Sequence, residues 1–240
     1  MRLGWYRQVH CKSQDAQENR TLLAARKMLQ SKCIDLEMSL RGLLRGYGLK
    51  VAQTTRKAFE GRVRGLAAAV SGLATAVDAL LKARAALLDQ FRTLDSLVVS
   101  RARKDARSQL LMTVPGVGAL ISLTFVSVID GPGRFRSSRT VGAHLGLTQR
   151  KYQSGDTDVT GRISKCGDRE VRTALYEAAN IILTRPVRGS QLKSWAARLA
   201  CRAGMKKAKV ALARKLAAIM HRMLADGTCF ESRLAAASGE

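Results

Sequence analysis

The residues best placed to do chemistry lie between Gly146 and Arg172, in the run GLTQRKYQSGDTDVTGRISKCGDREVR. Ser154 stands next to Gly155, with Arg150 and Lys151 ahead of it and Arg162 and Lys165 behind. A hydroxyl between cations on a glycine-punctuated loop suits attack on a phosphodiester. The oxygen supplies the nucleophile, and the cations hold the phosphate and stabilise charge on the phosphorane. In isolation the same run reads first as a solvated loop whose serine makes a turn, so the rest of the chain has to decide. Ser137, Ser138 and Ser164 are rival hydroxyls, Ser164 being better suited to structural or phosphate contacts. His144 is the one histidine nearby in sequence, and its apolar, helix-like surroundings point to core packing rather than to a general base.

Charge supplies the first context. The 42 Lys and Arg against 18 Asp and Glu leave +24, spread from Arg2 to Arg233. Enzymes of small metabolites rarely need such an excess, whereas nucleic-acid proteins use it to displace counterions from phosphates. Its spread favours a long footprint over a basic tail. A membrane surface is the competing polyanion, but no lipidation motif, signal peptide or apolar run of transmembrane length is evident. The five cysteines, Cys11, Cys33, Cys166, Cys201 and Cys229, offer no zinc-ligand spacing and read as reduced cytosolic thiols.

The elements that position these residues are mainly helical. Residues 1–12 carry Trp5 and Tyr6 with no element of their own. Ser13 is a plausible N-cap, with Asp15 in the first turn, for a helix over about 14–46. Its apolar face runs through Leu22, Leu29, Leu36 and Leu43, with Cys33, Leu40 and Tyr47 filling the seam. A second seam, Leu66, Val70, Leu73, Val77, Leu80, Leu87, Phe91, Leu94 and Val98, is interrupted by Arg84 and suits a helical hairpin or coiled coil. That region reads as scaffold, with a dimerisation arm as one use for it.

Arg101, Arg103, Lys104 and Arg107 then lead into Pro115-Gly116-Val117-Gly118, which has the form of a helix-hairpin-helix. Its glycines, Gly116 and Gly118, would let backbone N–H groups approach a phosphate, although the same tetrapeptide also makes ordinary inter-helix turns. Asp130-Gly131-Pro132-Gly133 breaks the chain, and Arg134, Phe135, Arg136 and Arg139 add a basic cluster. Beyond the serine loop, Asp168 caps a helix over about 169–184, with Val171, Leu175, Ala178 and Ile182 on one face. Pro186 and Gly189 separate it from helices over about 190–203 and 205–226. The last of these sets Lys206, Lys207, Lys209, Arg214 and Lys215 beside a stripe of Val210, Leu216, Met220 and Met223. The end, SRLAAASGE, reads as disordered.

The ordered set PGVG, RF, GL, QSG, GRISK-GD, LYEAA and ARKLA, over roughly residues 108–230, resembles the C-terminal transposase domain of the insertion sequence 110/116/902 family. The leading run RLGWYRQVHCKSQDAQENRTLLAARKML, with IDLEMSLRGLLRGYGLKV, looks like the middle of such proteins. The resemblance implies a DNA recombinase with two catalytic parts. One is an N-terminal RuvC-like domain whose carboxylates bind Mg2+; the other is a C-terminal domain with a nucleophilic serine, which matches Ser154. It also implies a coiled coil between them, a structured guide RNA, assembly into oligomers, and a place in the bacterial cytoplasm at the nucleoid.

The expected organisation is a remnant over 1–55, a helical arm over 56–107, the transposase domain over 108–230 and a tail over 231–240. The family's metal-binding carboxylates, ending in an Asp-x-x-Asp-Ala motif, fall ahead of Met1, and Trp5-Tyr6 reads as the torn edge of that domain. Asp15, Asp156, Asp158 and Asp168 are not promoted to replace them, so no cofactor is expected within this chain. The expectation is a transposase fragment inactive alone; the alternative is a non-catalytic DNA- or RNA-binding remnant that associates with intact subunits.

Overall fold

A computed structural model describes residues 9–185 and 191–231. Trp5-Tyr6, Pro186, Gly189 and the tail from 232 onward lie outside the described residues. The fold is mainly α, as expected, and the described residues form two compact units. One is Thr21–Leu97; the other combines residues up to Arg20 with those from Val98 onward.

Helix α1 spans Gln14–Gly46, α2 Phe59–Ala67 and α3 Ser71–Lys104. Within Thr21–Leu97, Leu40, Leu44, Val51, Phe59, Val63, Ala67, Leu73, Val77 and Leu81 bury one cluster. Arg26 pairs with Asp95 at 2.6 Å and Arg84 with Glu37 at 2.8 Å, so these parts of α1 and α3 run antiparallel. Arg84 does not break the seam. It is 3% exposed, donates to the Arg56 carbonyl as well, and lays its guanidinium on the Phe59 ring. Two residues of the expected α1 seam, Leu43 and Tyr47, are exposed, and Leu44 takes their place in the core. A strict seven-residue repeat drifts by roughly 20° per heptad on a straight helix, so by the third heptad residue 44 faces inward better than residue 43.

The other unit is built on α4 (Ala106–Leu111), α5 (Ala119–Ile129), a 3₁₀ turn (Pro132–Arg134), α6 (Ser138–His144), α7 (Arg169–Thr184), α8 (Gln191–Ala203) and α9 (Met205–Asp226). Helix α5 is buried from Ile121 to Ile129, and its Ser122, Thr124 and Ser127 hydroxyls donate to carbonyls one turn back. That local bonding lets small polar residues sit in a helix enclosed by core. Helix α7 packs on α5 and α9, and α6 and α8 pack on α9. Val171, Leu175, Ala178 and Ile182 of α7 are buried as the periodicity predicts, as are Leu216, Met220 and Met223 of α9. Asp168 caps α7 by accepting from the Glu170 and Val171 amides at 2.8 and 3.2 Å.

Candidate active site

Where an irregular loop is expected around Ser154, the chain forms a two-stranded antiparallel hairpin, β1 (Gln149–Ser154) and β2 (Thr157–Ile163). Ser154 pairs with Thr157 across a Gly155-Asp156 turn, and Gly155 takes φ +55 while Asp156 does not go positive. Glycine first in a two-residue connection is the II′ arrangement, which carries the right-handed twist of a hairpin. Tyr152 pairs with Val159 and lies over Gly161, where a Cβ would come within 3.3 Å of the tyrosine ring. All of β1 and most of β2 are exposed, Tyr152 by 57% and Val159 by 52%.

The hairpin spreads the expected phosphate-binding cations away from the hydroxyl. At about 3.3 Å per residue, Lys151 stands roughly 10 Å along the ribbon from Ser154, Arg150 about 13 Å and Arg162 about 17 Å. Alternation puts Ser154 on the face of Tyr152 and Val159, and Lys151 on the opposite face with Gln153, Asp158 and Thr160. Arg150 reaches back and donates to the Ser164 carbonyl at 3.0 Å. Along the ribbon the nearest charged residues to Ser154 are therefore Asp156, in the turn, and Asp158, opposite Gln153.

The root of the ribbon is locked. Ser164 N–H donates to the Thr148 carbonyl at 2.8 Å and Lys165 N–H to the Gly146 carbonyl at 3.1 Å. Gly146 and Gly167, both with positive φ, lie so close to the opposite strand of backbone that a Cβ on either would overlap a carbonyl oxygen, of Cys166 and His144 respectively. Arg172 Nη1 donates to the Leu145, Cys166 and Gly167 carbonyls at 3.1, 2.7 and 3.0 Å, joining the segments that enter and leave the hairpin. Lys165 sits at φ +56, a costly conformation for a residue with a side chain, and its ammonium is left at the surface beside this junction.

Two carboxylates bound the stretch that carries the hairpin. Asp130, at the end of α5, is 8% exposed and takes φ +58, ψ −89. Burial alone would raise its pKa. Hydrogen bonds from the Ser13 hydroxyl (2.6 Å), the Ser13 amide (2.8 Å) and His10 (2.9 Å), with the nearby His10 charge, outweigh burial and bring it to about 2. Around it Lys12 donates to the Ser127 and Val128 carbonyls, Arg134 to Val128 and Ile129, and Arg107 to Asp130 itself. These cations satisfy the last carbonyls of α5 and favour the negative end of its dipole. Asp168, at the other end, accepts from Arg20 at 2.8 Å in addition to capping α7.

His144 is not a core residue. It is exposed at the end of α6, its ring edge-on to Phe135, with Nε2 3.4 Å from Arg134. Partial enclosure, then the Arg134 and Lys12 charges, lower its pKa. The buried histidine is His221, which joins the Ser138 hydroxyl at 2.9 Å to the Pro132 carbonyl at 3.1 Å. In the Pro-Gly-x-Gly turn, Gly116 (φ +80) is pressed on α7, where a Cβ would come within 3.0 Å of the Ala178 carbonyl oxygen. Gly118 is open to solvent at the N-cap of α5. Among the described residues no three His, Cys, Asp or Glu gather to hold a metal ion. No described helix is long and apolar enough to cross a membrane.

The model of the transposase IS116/IS110/IS902 family matches residues 108–194, from α4 through the hairpin to the start of α8. A probable family 20 transposase of Pseudomonas aeruginosa is 31% identical over 233 residues, 93% of this chain and 68% of its own length. The chain belongs to the IS116/IS110/IS902 transposase family. The transposase for insertion sequence element IS1111A of Coxiella burnetii is 31% identical over 223 residues, 90% of this chain. The chain spans 61% of that transposase's length. The pilin gene-inverting protein of Moraxella lacunata is 28% identical over 130 residues, 53% of this chain and 40% of that protein.

Within the family segment, sequence reasoning reached the Asp168 cap and the basic character. It missed Arg172 and the grips on Asp130 and Asp168, whose partners lie far away in sequence. The turn itself had a local signal, since Gly-Asp is a two-residue hairpin connection, but the polar strands on either side do not alternate apolar with polar.

Proposed function

We propose that this chain is the strand-joining part of an insertion-sequence DNA recombinase. Ser154 Oγ attacks a backbone phosphorus; the Oγ–P bond forms and the P–O3′ bond breaks. The serine proton leaves to solvent and the departing oxygen takes one up, giving a 5′-phosphoserine link and a free 3′-OH. Attack by another strand's 3′-OH reverses the step and completes the exchange. The observation that carries this reading is the placement of Ser154: an exposed hydroxyl at the tip of a ribbon whose root is fixed by Arg172 and two glycines.

Arg150, Lys151, Arg162 and Lys165 bind phosphates flanking the scissile one, because the ribbon holds them several residues from the hydroxyl. Gly118 presents the start of α5 to a further phosphate, and Gly116 keeps that turn seated on α7. A structured guide RNA as the selector of DNA, and association of copies through α1 to α3, belong to the same reading, as does a bacterial nucleoid location. The two transposases and the gene-inverting relative support DNA rearrangement as the activity class.

The second reading, a non-catalytic nucleic-acid-binding chain, is favoured by one observation: among the described residues no histidine or cation bonds to Ser154, and a free serine hydroxyl is a weak nucleophile. One assay separates the two. The chain is mixed with labelled element-end duplex and structured RNA, with and without an intact family member, and run on a denaturing gel. A covalent adduct to the wild-type chain that disappears in Ser154→Ala is the expected result when the intact protein is supplied, with none formed by the chain alone. An adduct that survives Ser154→Ala overturns the nucleophile. Binding without adduct under every condition establishes the second reading.

A further inference from the structure

We propose that residues 10–20 act as a two-point positioning latch for the stretch 130–168, which carries α6 and the Ser154 hairpin. The two ends of that stretch are marked by carboxylates in a chain where acids are scarce, 18 against 42 basic residues. Both are gripped by the same short segment. His10 and Ser13 hold Asp130 through three hydrogen bonds of 2.6 to 2.9 Å, and Arg20 holds Asp168 at 2.8 Å. Lys12, between them, donates to the Ser127 and Val128 carbonyls and lies within the electrostatic reach of both carboxylates and of Arg20 and Arg134.

The grips fall where the backbone changes direction. Asp130 is a non-glycine residue at φ +58, where the chain leaves α5 for the 3₁₀ turn. Asp168 follows Lys165 at φ +56 and Gly167 at φ +79, where the chain leaves the hairpin for α7. Left-handed positions are costly for residues with side chains and persist where surrounding bonds over-determine them. A tie at each such bend fixes the direction in which the intervening stretch leaves the core. Beyond the bonds at its root, from Arg172 and the Ser164 and Lys165 amides, the described ribbon has few other supports, since its strands pack on each other and are exposed elsewhere. Ser13 has a second duty that couples the grip to α1: its hydroxyl donates to Asp130 and also accepts from the Ala16 amide at 3.2 Å, as the helix N-cap.

His10, Ser13 and Arg20 are thus positioning residues; none touches the proposed nucleophile. The inference rests on the Ser154 reading for its purpose but not for its test, which is amide exchange in the free full chain. Arg20, 38% exposed, is replaced by Met or Lys, and Asp168 by Ser, which keeps a cap for α7 while removing the charge. In Arg20→Met the Ser164 and Lys165 amides, bonded to the Thr148 and Gly146 carbonyls, are expected to exchange about tenfold faster. Amides inside α9 stay unchanged, and Arg20→Lys restores most of the protection. Asp168→Ser reproduces the loss, and the Arg20→Met/Asp168→Ser double variant adds nothing further.

At the other grip, Ser13→Ala speeds exchange of the Leu145, Gly146 and Leu147 amides, which bond back into α6. Unchanged exchange at the hairpin root in Arg20→Met, or an equal rise throughout α9, overturns the latch. In the joining assay Arg20→Met lowers the rate of adduct formation with duplex affinity intact. Failure of every protein to form an adduct counts against the Ser154 reading, while the exchange result still decides the latch.

Discussion

A methyl group on Gly146 or Gly167 has nowhere to go, because the Cys166 and His144 carbonyl oxygens already occupy its place and both residues have positive φ. Gly146→Ala and Gly167→Ala are each expected to cost about 3 kcal/mol or more in urea unfolding, as backbone strain adds to a backbone clash. Gly155→Ala, with open space and only its φ of +55 against it, should cost about 1 kcal/mol, and Gly118→Ala close to none. Asp130 adds a pH dependence of definite sign. Its folded pKa of about 2 lies below the ordinary 3.8, so its stabilisation is complete above the ordinary value and is lost as pH falls towards 2. The shift corresponds to about 2 kcal/mol at most. Between pH 5 and pH 2.5 urea stability should fall by about two-thirds of that more in the wild type than in Asp130→Asn. At this scale the sequence revealed what is local: Asp168 reads as a cap because its amide partners are two and three residues away. Asp130 reads only as part of a chain break, since its partners His10 and Ser13 come from the start of the chain.

At the scale of elements, the helices were legible because 3.6-residue periodicity survives in α1, α7 and α9, and the starts of α1 and α7 carry Ser13 and Asp168. The hairpin was not, since its strands are made of Arg, Lys, Gln and Asp, which resemble loop residues in composition. Its register is fixed instead by the Gly-Asp turn and by Tyr152 covering Gly161. Arg84 interrupts an apolar seam in the sequence, yet it joins Glu37, the Arg56 carbonyl and the Phe59 ring. Arg84→Ala would strip Glu37, itself a quarter exposed, of its partner and open space beside Phe59. A loss of about 2–3 kcal/mol is expected, below the range for a fully buried pair. Arg84→Met, which keeps the stem against Phe59, should lose less. Unfolding of the two variants with a common urea series makes the comparison.

For the whole molecule, +24 is the dominant physical fact, and few acids are left over to offset it. Duplex binding should therefore weaken by on the order of a thousandfold as salt rises from about 50 to about 200 mM, the fall expected when six or more phosphates are neutralised. A titration with little salt dependence would mean that phosphate contacts are not the main source of affinity. Charge of this size would hold the chain to DNA anywhere, so it says nothing about where a bond is made; in the proposed reading that depends on the ribbon. Six residues of strand at about 3.3 Å each put Ser154 roughly 20 Å from the Arg172 junction. Over such a lever a tilt of only about 3° at the root swings the hydroxyl by about 1 Å, a misplacement that costs reactions on the order of a hundredfold. A modest rocking of the root is thus enough to move the proposed nucleophile in or out of line with a phosphorus, with no change in the fold and no break in the ribbon.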